Sequence, residues 1–393
     1  MASDCILVLN CGSSSVKLDV FDLTVQQNPL SASVQRIGSD DALLSVRVGD
    51  DVRTRPLPNV DAAQAVDALL DEVRGAGFSV RVVGHRVVHG GEKLVDARIL
   101  TPDVIAEIRF CSSLAPLHNP ANLAGIEALE RRLPAVKQIA VFDTAFHHTM
   151  AKEAYLYAIP QRFHDDGGVR RYGFHGTSHR FVAERAAEFF ARPLVTLRLV
   201  TVHLGNGCSA CAVDGGRSVD TTMGFTPLEG LMMGTRSGDI DAAVVLRLAR
   251  SLGVDETERL LNKESGLRGV SGVSHDMRDL EKAAADGNAD ADLAIRMFCR
   301  RARKAVGALA AGMGGLDGIV FTGGIGENSS RVRAEICDGL RVVGALLHER
   351  KNQAKSTAER DLSTMDSRVR ILVIPTDEER AIAREAQRLA STL

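Results

Sequence analysis

Short apolar runs alternate with polar turns and amphipathic stretches along the whole chain. Residues 5–9 are apolar, residues 10–15 are polar and turn-rich, and residues 16–21 alternate. This pattern predicts two strands joined as a hairpin. Further apolar or alternating segments predict strands at 43–48, 52–57, 80–88 and 139–142, the last of which ends on Asp143.

Helix start signals lie between these predicted strands. An amphipathic stretch begins at Asp61 and runs to about Arg74. The segments Thr101-Pro102 and Asn119-Pro120 each place a capping side chain before a proline, which is favoured at the first helical position. Two more helices are therefore predicted to begin at these segments.

The second half of the chain begins the same order again. Residues 199–203 are apolar, 204–207 form a glycine turn, and 208–213 alternate, with little sequence identity to residues 5–21. Later elements are predicted as helices at roughly 239–252 and 288–313, a strand at 318–321 with a glycine turn, a helix from about Ser329, a polar loop at 350–367, a strand at 369–374 and a helix from Asp377 to about Ala390. Strands interleaved with helices in both halves predict an α/β protein made of two related halves.

Composition limits the class of protein. The 393 residues exceed what one hydrophobic core usually holds, so we expect two domains. Lys and Arg number 48 against 50 Asp and Glu, and this near-neutral balance argues against a nucleic-acid-binding protein. The seven scattered cysteines are typical of a reduced, cytosolic protein, and no apolar run is long enough to span a membrane.

Three glycine-containing turns follow predicted strands. They are residues 10–17 (NCGSSSVK), 203–207 (HLGNG) and 322–328 (TGGIGEN). Glycine lets the backbone approach a ligand closely, and hydroxyls, backbone N–H groups and a lysine together suit phosphate oxygens. The first turn lacks the Walker A spacing and is equally compatible with an ordinary hairpin; three such turns in one chain favour nucleotide binding.

Charged residues in apolar surroundings are further candidates. Arg86 lies inside an apolar predicted strand, and Arg236 lies in a glycine-rich loop, so each either forms a structural ion pair or binds an anion. Asp143 follows a strand, where ligand sites of α/β proteins gather, although a buried structural acid fits equally well.

Other motifs are unfavourable for their usual chemistry. His175 and His179 have the i, i+4 spacing of zinc ligands but lack the glutamate and third ligand that such sites need. Cys208 and Cys211 lie on a predicted strand with their side chains on opposite faces, which disfavours chelation or a redox pair. The three serines at 13–15 lack the G-x-S-x-G pattern of a catalytic serine.

Taken in order, the segments of the chain resemble the acetate and propionate kinase family, within the actin-like, sugar-kinase and Hsp70 ATPase superfamily. The resemblance rests on NCGSSSVK (10–17), GHRVVHGGE (84–92), APLHNPANL (115–123), VFDTAFH (141–147), RRYGFHGTSH (170–179), HLGNG (203–207), SVDTTMGFTPLEGLMMGTRSGD (218–239), SHDMR (274–278), FTGGIGEN (321–328) and PTDEE (375–379). Cys208 and Ala242 depart from the alanine and proline common in the family, away from any implied contact.

The resemblance implies a kinase that uses ATP and Mg²⁺, with Mn²⁺ as an alternative, to convert acetate reversibly to acetyl phosphate. It also implies two duplicated ribonuclease H-like α/β domains around a cleft, and usually a homodimer. The N-terminal domain would be residues 1–147, completed by the C-terminal helix 377–393, and the nucleotide-binding domain would be residues 148–376. Neither nucleic acid nor a membrane is implied as a partner. The alternatives are a propionate kinase or a non-enzymatic, nucleotide-gated module of the same superfamily.

The residue roles that the resemblance implies fall into four groups. The metal positions are Asn10 and Glu378. The catalytic positions are Asp143, His175 and Arg236. Arg86 would bind the substrate carboxylate, and the pocket for its methyl group would be lined by Val88, Leu117, Phe174 and Pro227. The nucleotide contacts would be Lys17, His203, Leu204, Gly205, Asn206, Gly207, Asp276, Met277, Arg278, Gly324, Ile325, Gly326, Glu327 and Asn328.

Simple chemistry narrows the role of Asp143 in such a reaction. Acetate is already a carboxylate at neutral pH, because carboxyl groups of this kind have a pKa of ~4 to 5. A base is therefore unnecessary, and the difficulty is to bring two anions together, which requires cations. We expect Asp143 to orient Mg²⁺ or to position an arginine rather than to accept a proton.

Overall fold

The computed structural model describes residues 3–116 and 118–391, and these form two compact units. The first unit runs from the N-terminal end of the described chain to Phe146 and resumes at Asp377. The second unit is His147–Thr376.

The described residues of the first unit form an eight-stranded sheet. Its strands are β1 (Ser3–Cys11), β2 (Ser15–Asp22), β3 (Leu30–Gln35), β4 (Leu43–Val48), β5 (Asp51–Pro56), β6 (Phe78–Val87), β7 (Arg98–Ile99) and β8 (Lys137–Phe142), in the order β5-β4-β3-β2-β1-β6-β8-β7. Strands β1, β6 and β8 are parallel, whereas β1 to β5 pair antiparallel in sequence order. The carboxyl ends of the three parallel strands therefore lie at one edge of the sheet.

Helices cover both faces of this sheet. They are α1 (Ala62–Gly75), α2 (Pro102–Phe110), α3 (Asn119–Arg132) and a C-terminal helix (Glu378–Ser391). Alternate residues of β1 enter two cores, so Leu7 and Leu9 pack in the core beneath α1, while Ile6 and Val8 pack with the C-terminal helix. Gly84 of β6 permits this second contact, because a Cβ there would lie 2.7 Å from Ile382 Cγ2.

The described residues of the second unit form a six-stranded sheet with a related order. Its strands are β9 (Arg198–Leu204), β10 (Cys208–Asp214), β11 (Arg217–Thr221), β12 (Gly318–Thr322), β13 (Arg360–Asp361) and β14 (Arg370–Val373), in the order β11-β10-β9-β12-β14-β13. Strands β9, β12 and β14 are parallel, as β1, β6 and β8 are in the first unit. The α/β class and the repeated order predicted from the sequence are confirmed.

Helices of the second unit connect and cover its strands. They are α4 (Lys152–Tyr155), α5 (Arg162–Gly167), α6 (Gly176–Phe190), α7 (Ala242–Leu252), α8 (Val254–Arg259), α9 (Gly266–Ser271), α10 (Met277–Ala285), α11 (Ala289–Gly312), α12 (Gly323–Asn328), α13 (Ser330–Asp338) and α14 (Glu349–Gln353). Helix α6 packs on β9 and β12, and α11 packs on β9 and β10. No helix in the described part of the chain is long and apolar enough to cross a bilayer.

Three local predictions were wrong. Asn119 does not cap its helix; His118 is the N-cap, and the Asn119 side chain bonds to the backbone of His89 instead. The residues after β12 form the short helix α12 rather than a glycine turn. The stretch 350–367 is not all loop, since it contains most of α14 and the two-residue strand β13.

Candidate functional site

In the first unit, the carboxyl edge of the parallel strands carries Asn10, Arg86 and Asp143. The Arg86 guanidinium donates through Nε to Asp143 Oδ1 (3.1 Å), through Nη2 to Asp143 Oδ2 (2.5 Å), and through Nη1 to Asn10 Oδ1 (3.3 Å). Asp143 is almost fully buried, whereas the Arg86 side chain is 22% exposed. Arg86 therefore forms a structural ion pair, and two of the five N–H groups of a guanidinium are not used by these bonds.

The first residue of the C-terminal helix adds a second carboxylate to this edge. Glu378 Oε2 lies 3.9 Å from Arg86 Nε. Burial raises the pKa of Glu378 to about 7; Arg86 opposes that rise, and Asp143 and Glu379 add to it. Burial by itself would lower the pKa of Arg86, but the charges of Asp143 and Glu378 outweigh it and raise that pKa. The cluster thus holds more carboxylate than its arginine neutralises.

These oxygen donors fit the magnesium position implied by the resemblance. An amide oxygen from Asn10 and a carboxylate from Glu378 are hard ligands of the kind Mg²⁺ prefers. Within residues 3–116 and 118–391, no three or more His, Cys, Asp or Glu side chains are arranged to enclose a metal ion. An ion here would keep water or phosphate oxygens in its coordination sphere, as Mg²⁺ usually does. Lys17 pairs with Asn10 in register on β2 and is exposed to solvent.

Two asparagines of α3 hold the segment after β6 in place. Asn122 accepts a hydrogen bond from the N–H of Val88 (3.0 Å) and donates to the carbonyl of Cys11 (2.7 Å). Asn119 accepts from the N–H of His89 (3.1 Å) and donates to its carbonyl (3.0 Å). Both asparagines are buried, and the sequence reading did not predict this role for them. Val88 is itself buried, and the predicted pocket residue Leu117 lies outside the described residues.

In the second unit, Gly207 lies between His175 and Arg236. A Cβ at Gly207 would lie 3.3 Å from His175 Cε1, 3.4 Å from His175 Nε2 and 3.7 Å from Arg236 Nη1, so both side chains lie against this glycine. His175 caps the N-terminus of α6 with φ +58°, a left-handed conformation that is uncommon for a residue with a side chain. The imidazole and the guanidinium are thus brought to one point on the 203–207 turn.

Arg236 differs from Arg86 in its electrostatic surroundings. Among the described residues, no carboxylate forms an ion pair with its guanidinium, whose Nη1 donates to the carbonyl of Pro227 (3.3 Å). Burial lowers the pKa of Arg236, with a small opposing effect from Cys208. A mostly buried cation without a counter-ion is unfavourable unless it binds an anion.

Other histidines of the second unit, His179 and His203, lie beside His175. The rings of His175 and His203 stack with their centroids 4.3 Å apart, and His203 Nδ1 bonds to Ser178 Oγ (2.8 Å). His147 bonds through Nε2 to the carbonyl of the buried Phe174 (3.0 Å). These polar residues hold the start of α6 against the ends of β9 and β10.

The third glycine turn, which forms α12, is held by an inward-facing glutamate and a buried arginine. Glu327 accepts hydrogen bonds from the N–H of Gly323 (2.9 Å) and of Thr376 (3.3 Å), and burial raises its pKa. Arg333 donates to the carbonyls of Gly326 (2.8 Å) and Glu327 (2.9 Å). The sequence reading did not identify Arg333. Gly324 and Asn328 are exposed, Ile325 is partly exposed, and Gly326 is buried.

The remaining predicted nucleotide contacts lie on two elements. Asp276 caps α10 by accepting from the N–H of Arg278 (2.9 Å), and hydrogen bonds from Arg278 lower the Asp276 pKa to about 2. Arg278 is exposed and Met277 is buried, so Met277 could contact a ligand only through its backbone. On the 203–207 turn, Leu204 is buried, the Gly205 N–H donates to the Gly207 carbonyl (3.0 Å), and the carbonyl of Asn206 accepts from the N–H of Gly234 (3.0 Å).

Comparison with known proteins gives a consistent result. The profile of the acetokinase family matches residues 5–384. The chain is 48% identical to the acetate kinase of Geobacillus kaustophilus and 46% identical to that of Bacillus subtilis, in each case covering 98% of this chain and 99% of the relative. The crystal structure of the Porphyromonas gingivalis acetate kinase superposes with a TM-score of 0.93 at 41% identity, covering 98% of this chain and 100% of that one. A propionate kinase from Francisella tularensis gives a TM-score of 0.93 at 39% identity, covering 98% and 99%.

Proposed function

The chain belongs to the acetokinase family and is a phosphotransferase, and from this premise we propose that it transfers a phosphoryl group reversibly between ATP and acetate. The products of the forward direction are acetyl phosphate and ADP. The observation that carries the proposal is Arg236, a mostly buried guanidinium beside His175 and Gly207 with no carboxylate partner among the described residues. Such a cation is suited to the charge of a transferring phosphoryl group.

The acceptor is assigned to the first unit. Arg86 is fixed by Asp143 and Asn10, and its two remaining N–H groups suit one acetate carboxylate. Val88, two residues along the chain, is held at its backbone by Asn122 and supplies apolar surface for the methyl group. Phe174 and Pro227, which lie in the second unit, and Leu117 stay predictions from the sequence.

The nucleotide is assigned to the second unit. The 203–207 turn, the N-terminal end of α10 and the exposed residues of α12 form its proposed contacts, and Lys17 stays a prediction from the sequence. Arg333 and Glu327 hold α12 from behind, so that Gly324 and Asn328 can stay exposed to the ligand. We propose that the two units are the two domains predicted from the sequence.

Magnesium is proposed to bind through Asn10 and Glu378. When bound, the ion supplies positive charge that neutralises phosphate oxygens and offsets the excess carboxylate beside Arg86. Asp143 acts on this site through Arg86, because both of its oxygens already accept hydrogen bonds from that guanidinium. We infer that Asp143 positions the arginine and accepts no proton.

The transfer itself needs no acid or base. A carboxylate oxygen attacks the γ-phosphorus, the bond from that phosphorus to the β–γ bridging oxygen breaks, and the electron pair leaves with ADP. His175 and Arg236 donate hydrogen bonds to the phosphoryl oxygens as charge shifts during this step. The transfer is direct, without a phosphorylated enzyme.

Trapping of acyl phosphate with hydroxylamine tests this proposal. With ATP, Mg²⁺ and acetate, the protein should form acetyl hydroxamate, and Arg236→Gln should lower the rate by about 10²-fold or more. Arg300→Gln, which changes an exposed arginine of the same unit, serves as the matched control and should leave the rate unchanged. If ATP binds but no hydroxamate forms with acetate, propionate or butyrate, the non-enzymatic alternative is correct and the proposal is wrong.

We also propose a homodimer, with α7 as the contact surface. No residue of α7 is buried, although its sequence AAVVLRLARSL is mostly apolar. Leu246 is 57% exposed, and Val254 just beyond the helix is 72% exposed. A second copy placed across a two-fold axis would cover both faces at once. Sedimentation should show a dimer for the wild type and a monomer for Leu246→Glu; a wild-type monomer at micromolar concentration would exclude this contact.

A further inference from the structure

A buried serine connects two histidines of the second unit. Ser209 Oγ lies 2.9 Å from Nδ1 of His175 and 2.7 Å from Nε2 of His179. The other ring nitrogen of His179, Nδ1, lies 2.7 Å from Thr201 Oγ1. Ser209, His179 and Thr201 have no solvent exposure. Three hydrogen bonds thus form a continuous relay from strand β9 through α6 and β10 to His175.

A relay of this kind has a direction. A neutral imidazole has one N–H and one acceptor nitrogen, and a hydroxyl has one proton and two lone pairs. When the Ser209 proton is used within these bonds, each bond fixes the polarity of the next. His179 is neutral, because burial, with His147 and His203 nearby, holds its pKa well below the usual value. In one direction, Thr201 donates a hydrogen bond to His179 and Nδ1 of His175 accepts one from Ser209. In the reverse direction, Nδ1 of His175 donates to Ser209 and Thr201 accepts from His179.

Thr201 decides between the two directions. In the reverse direction its hydroxyl proton must go to another acceptor, and within the described part of the chain the available one is the Cys211 carbonyl at 3.5 Å. That distance is at the outer limit of a hydrogen bond, whereas His179 Nδ1 is at 2.7 Å. The favoured direction therefore runs from Thr201 to His179, from His179 to Ser209, and from Ser209 to His175 Nδ1.

We propose that Thr201, His179 and Ser209 are positioning residues that keep neutral His175 protonated at Nε2. Nε2 is the nitrogen that faces Gly207 and Arg236. His175 then donates a hydrogen bond to the transferring phosphoryl group without first becoming an imidazolium. This inference rests on the proposed function for its purpose, although the tautomer itself is a property of the protein alone.

The relay has a consequence for pH dependence. With Nε2 already protonated in the neutral ring, the turnover number should change little between pH 6 and pH 9. Without the relay, the neutral ring divides between two tautomers, and only the imidazolium always carries a proton at Nε2. Close to His175 lie the rings of His203 and His179 and, across Gly207, the guanidinium of Arg236. A relay variant should therefore lose most activity at high pH.

Substitutions at the far and near ends of the relay test it. Thr201→Val is nearly isosteric and does not touch His175, and Ser209→Ala removes the central hydroxyl. Each substitution should lower the turnover number on the order of tenfold at pH 8 and less at pH 6, with the KM for ATP and for acetate within about twofold of wild type. The fall should be smaller than the reduction of about 10² to 10³ in turnover number that follows complete removal of one hydrogen-bond donor to a transition state. Thr201→Ser should restore the wild-type profile. Ser218→Ala is the matched control, because the Ser218 hydroxyl bonds to Nδ1 of His147 (2.8 Å) and lies outside the relay. This variant should keep the wild-type pH profile.

A measurement that needs no turnover makes the two proposals separable. In ¹⁵N-histidine-labelled wild type, with the His175 signals identified by their absence in His175→Gln, Nε2 should carry the proton at pH 8. Protonation at Nδ1, or Thr201→Val with a wild-type pH profile, would overturn the relay. Absence of acetyl phosphate formation with Nε2 protonated would refute the proposed function and leave the relay intact. If the variants fail to fold, the wild-type spectrum still decides.

Discussion

Asp143→Asn tests how the acceptor site of the first unit is built. The substitution keeps the shape of the side chain but removes the charge that the Arg86 guanidinium contacts at 2.5 and 3.1 Å. It also places an NH₂ group against one of the two donors. Removing one partner of a buried ion pair costs ~3 to 5 kcal/mol. Because the Arg86 side chain is 22% exposed and has Glu378 as a second partner at 3.9 Å, we expect the lower end, about 3 kcal/mol of unfolding free energy.

The same substitution should lower the turnover number more than it weakens acetate binding. Loss of the Asp143 charge makes the site more positive, which favours acetate, while a less ordered Arg86 disfavours it. These effects oppose each other, so the KM for acetate should stay within a few-fold of wild type. The turnover number should fall by about 10² or more, because the arginine no longer holds the acceptor in line.

Urea unfolding and steady-state kinetics of four proteins measure both quantities. They are the wild type, Asp143→Asn, Arg86→Gln and the double variant, and the double variant should be little worse than either single one. Asp4→Asn is the matched control, because Asp4 forms an exposed ion pair with Arg81 at 2.8 Å and should cost less than about 1 kcal/mol. Additive losses in the double variant, or a large rise in KM with a near-normal turnover number, would refute this account of Asp143.

Three further predictions concern cation binding, substrate length and acid stability. Arg236→Lys should have a turnover number between those of Arg236→Gln and the wild type, since lysine keeps the charge but lacks the planar guanidinium. A wild-type turnover number for Arg236→Lys in steady-state assays would argue against a bidentate contact. Val88→Ala should lower the ratio of kcat/KM for acetate to kcat/KM for propionate, because one extra methylene in an apolar pocket is worth only ~1 to 3 kcal/mol. If this ratio stays unchanged, other residues form the pocket wall. Burial lowers the pKa of His85 and His147 from 6.5 to about 4, so the unfolded state takes up protons first and stability falls as the pH drops from 6.5 to 4. Each histidine should contribute about 3 kcal/mol to this loss, and unfolding curves that do not change between pH 7 and pH 4.5 would contradict it.

Most of the strands could be predicted because their hydrophobic pattern is local, whereas β3, β7, β11 and β13 were not predicted. The hairpin at residues 5–21 and its counterpart at 199–213 appear in the structure as β1 with β2 and β9 with β10. The prediction that Asn119 caps its helix was wrong because its side chain can bond either to the helix N-terminus or to backbone groups distant in sequence. The Asn119 side chain satisfies buried backbone groups of His89, and the cap falls one residue earlier.

The supporting residues of the site were harder to predict. Asn122, Arg333 and Ser209 act through contacts with segments that are distant in sequence or on other elements, so no spacing rule identifies them. One signal was present nonetheless. Thr201 on β9 and Ser209 on β10 are polar residues within strands whose neighbours are all buried, and such residues require internal partners. A polar residue inside an otherwise apolar strand therefore indicates a buried hydrogen-bond partner, as a glycine turn indicates a close backbone approach.

The docking of the C-terminal helix against Gly84 determines when the first unit can be completed during synthesis. Glu378 stands beside Arg86, although almost three hundred residues separate them in the chain. A ribosome must therefore translate the whole second unit before the sheet of the first receives its last covering helix. Until then, the apolar face that meets Ile382 is open to the cell's chaperones, and the nascent protein has no complete acceptor site.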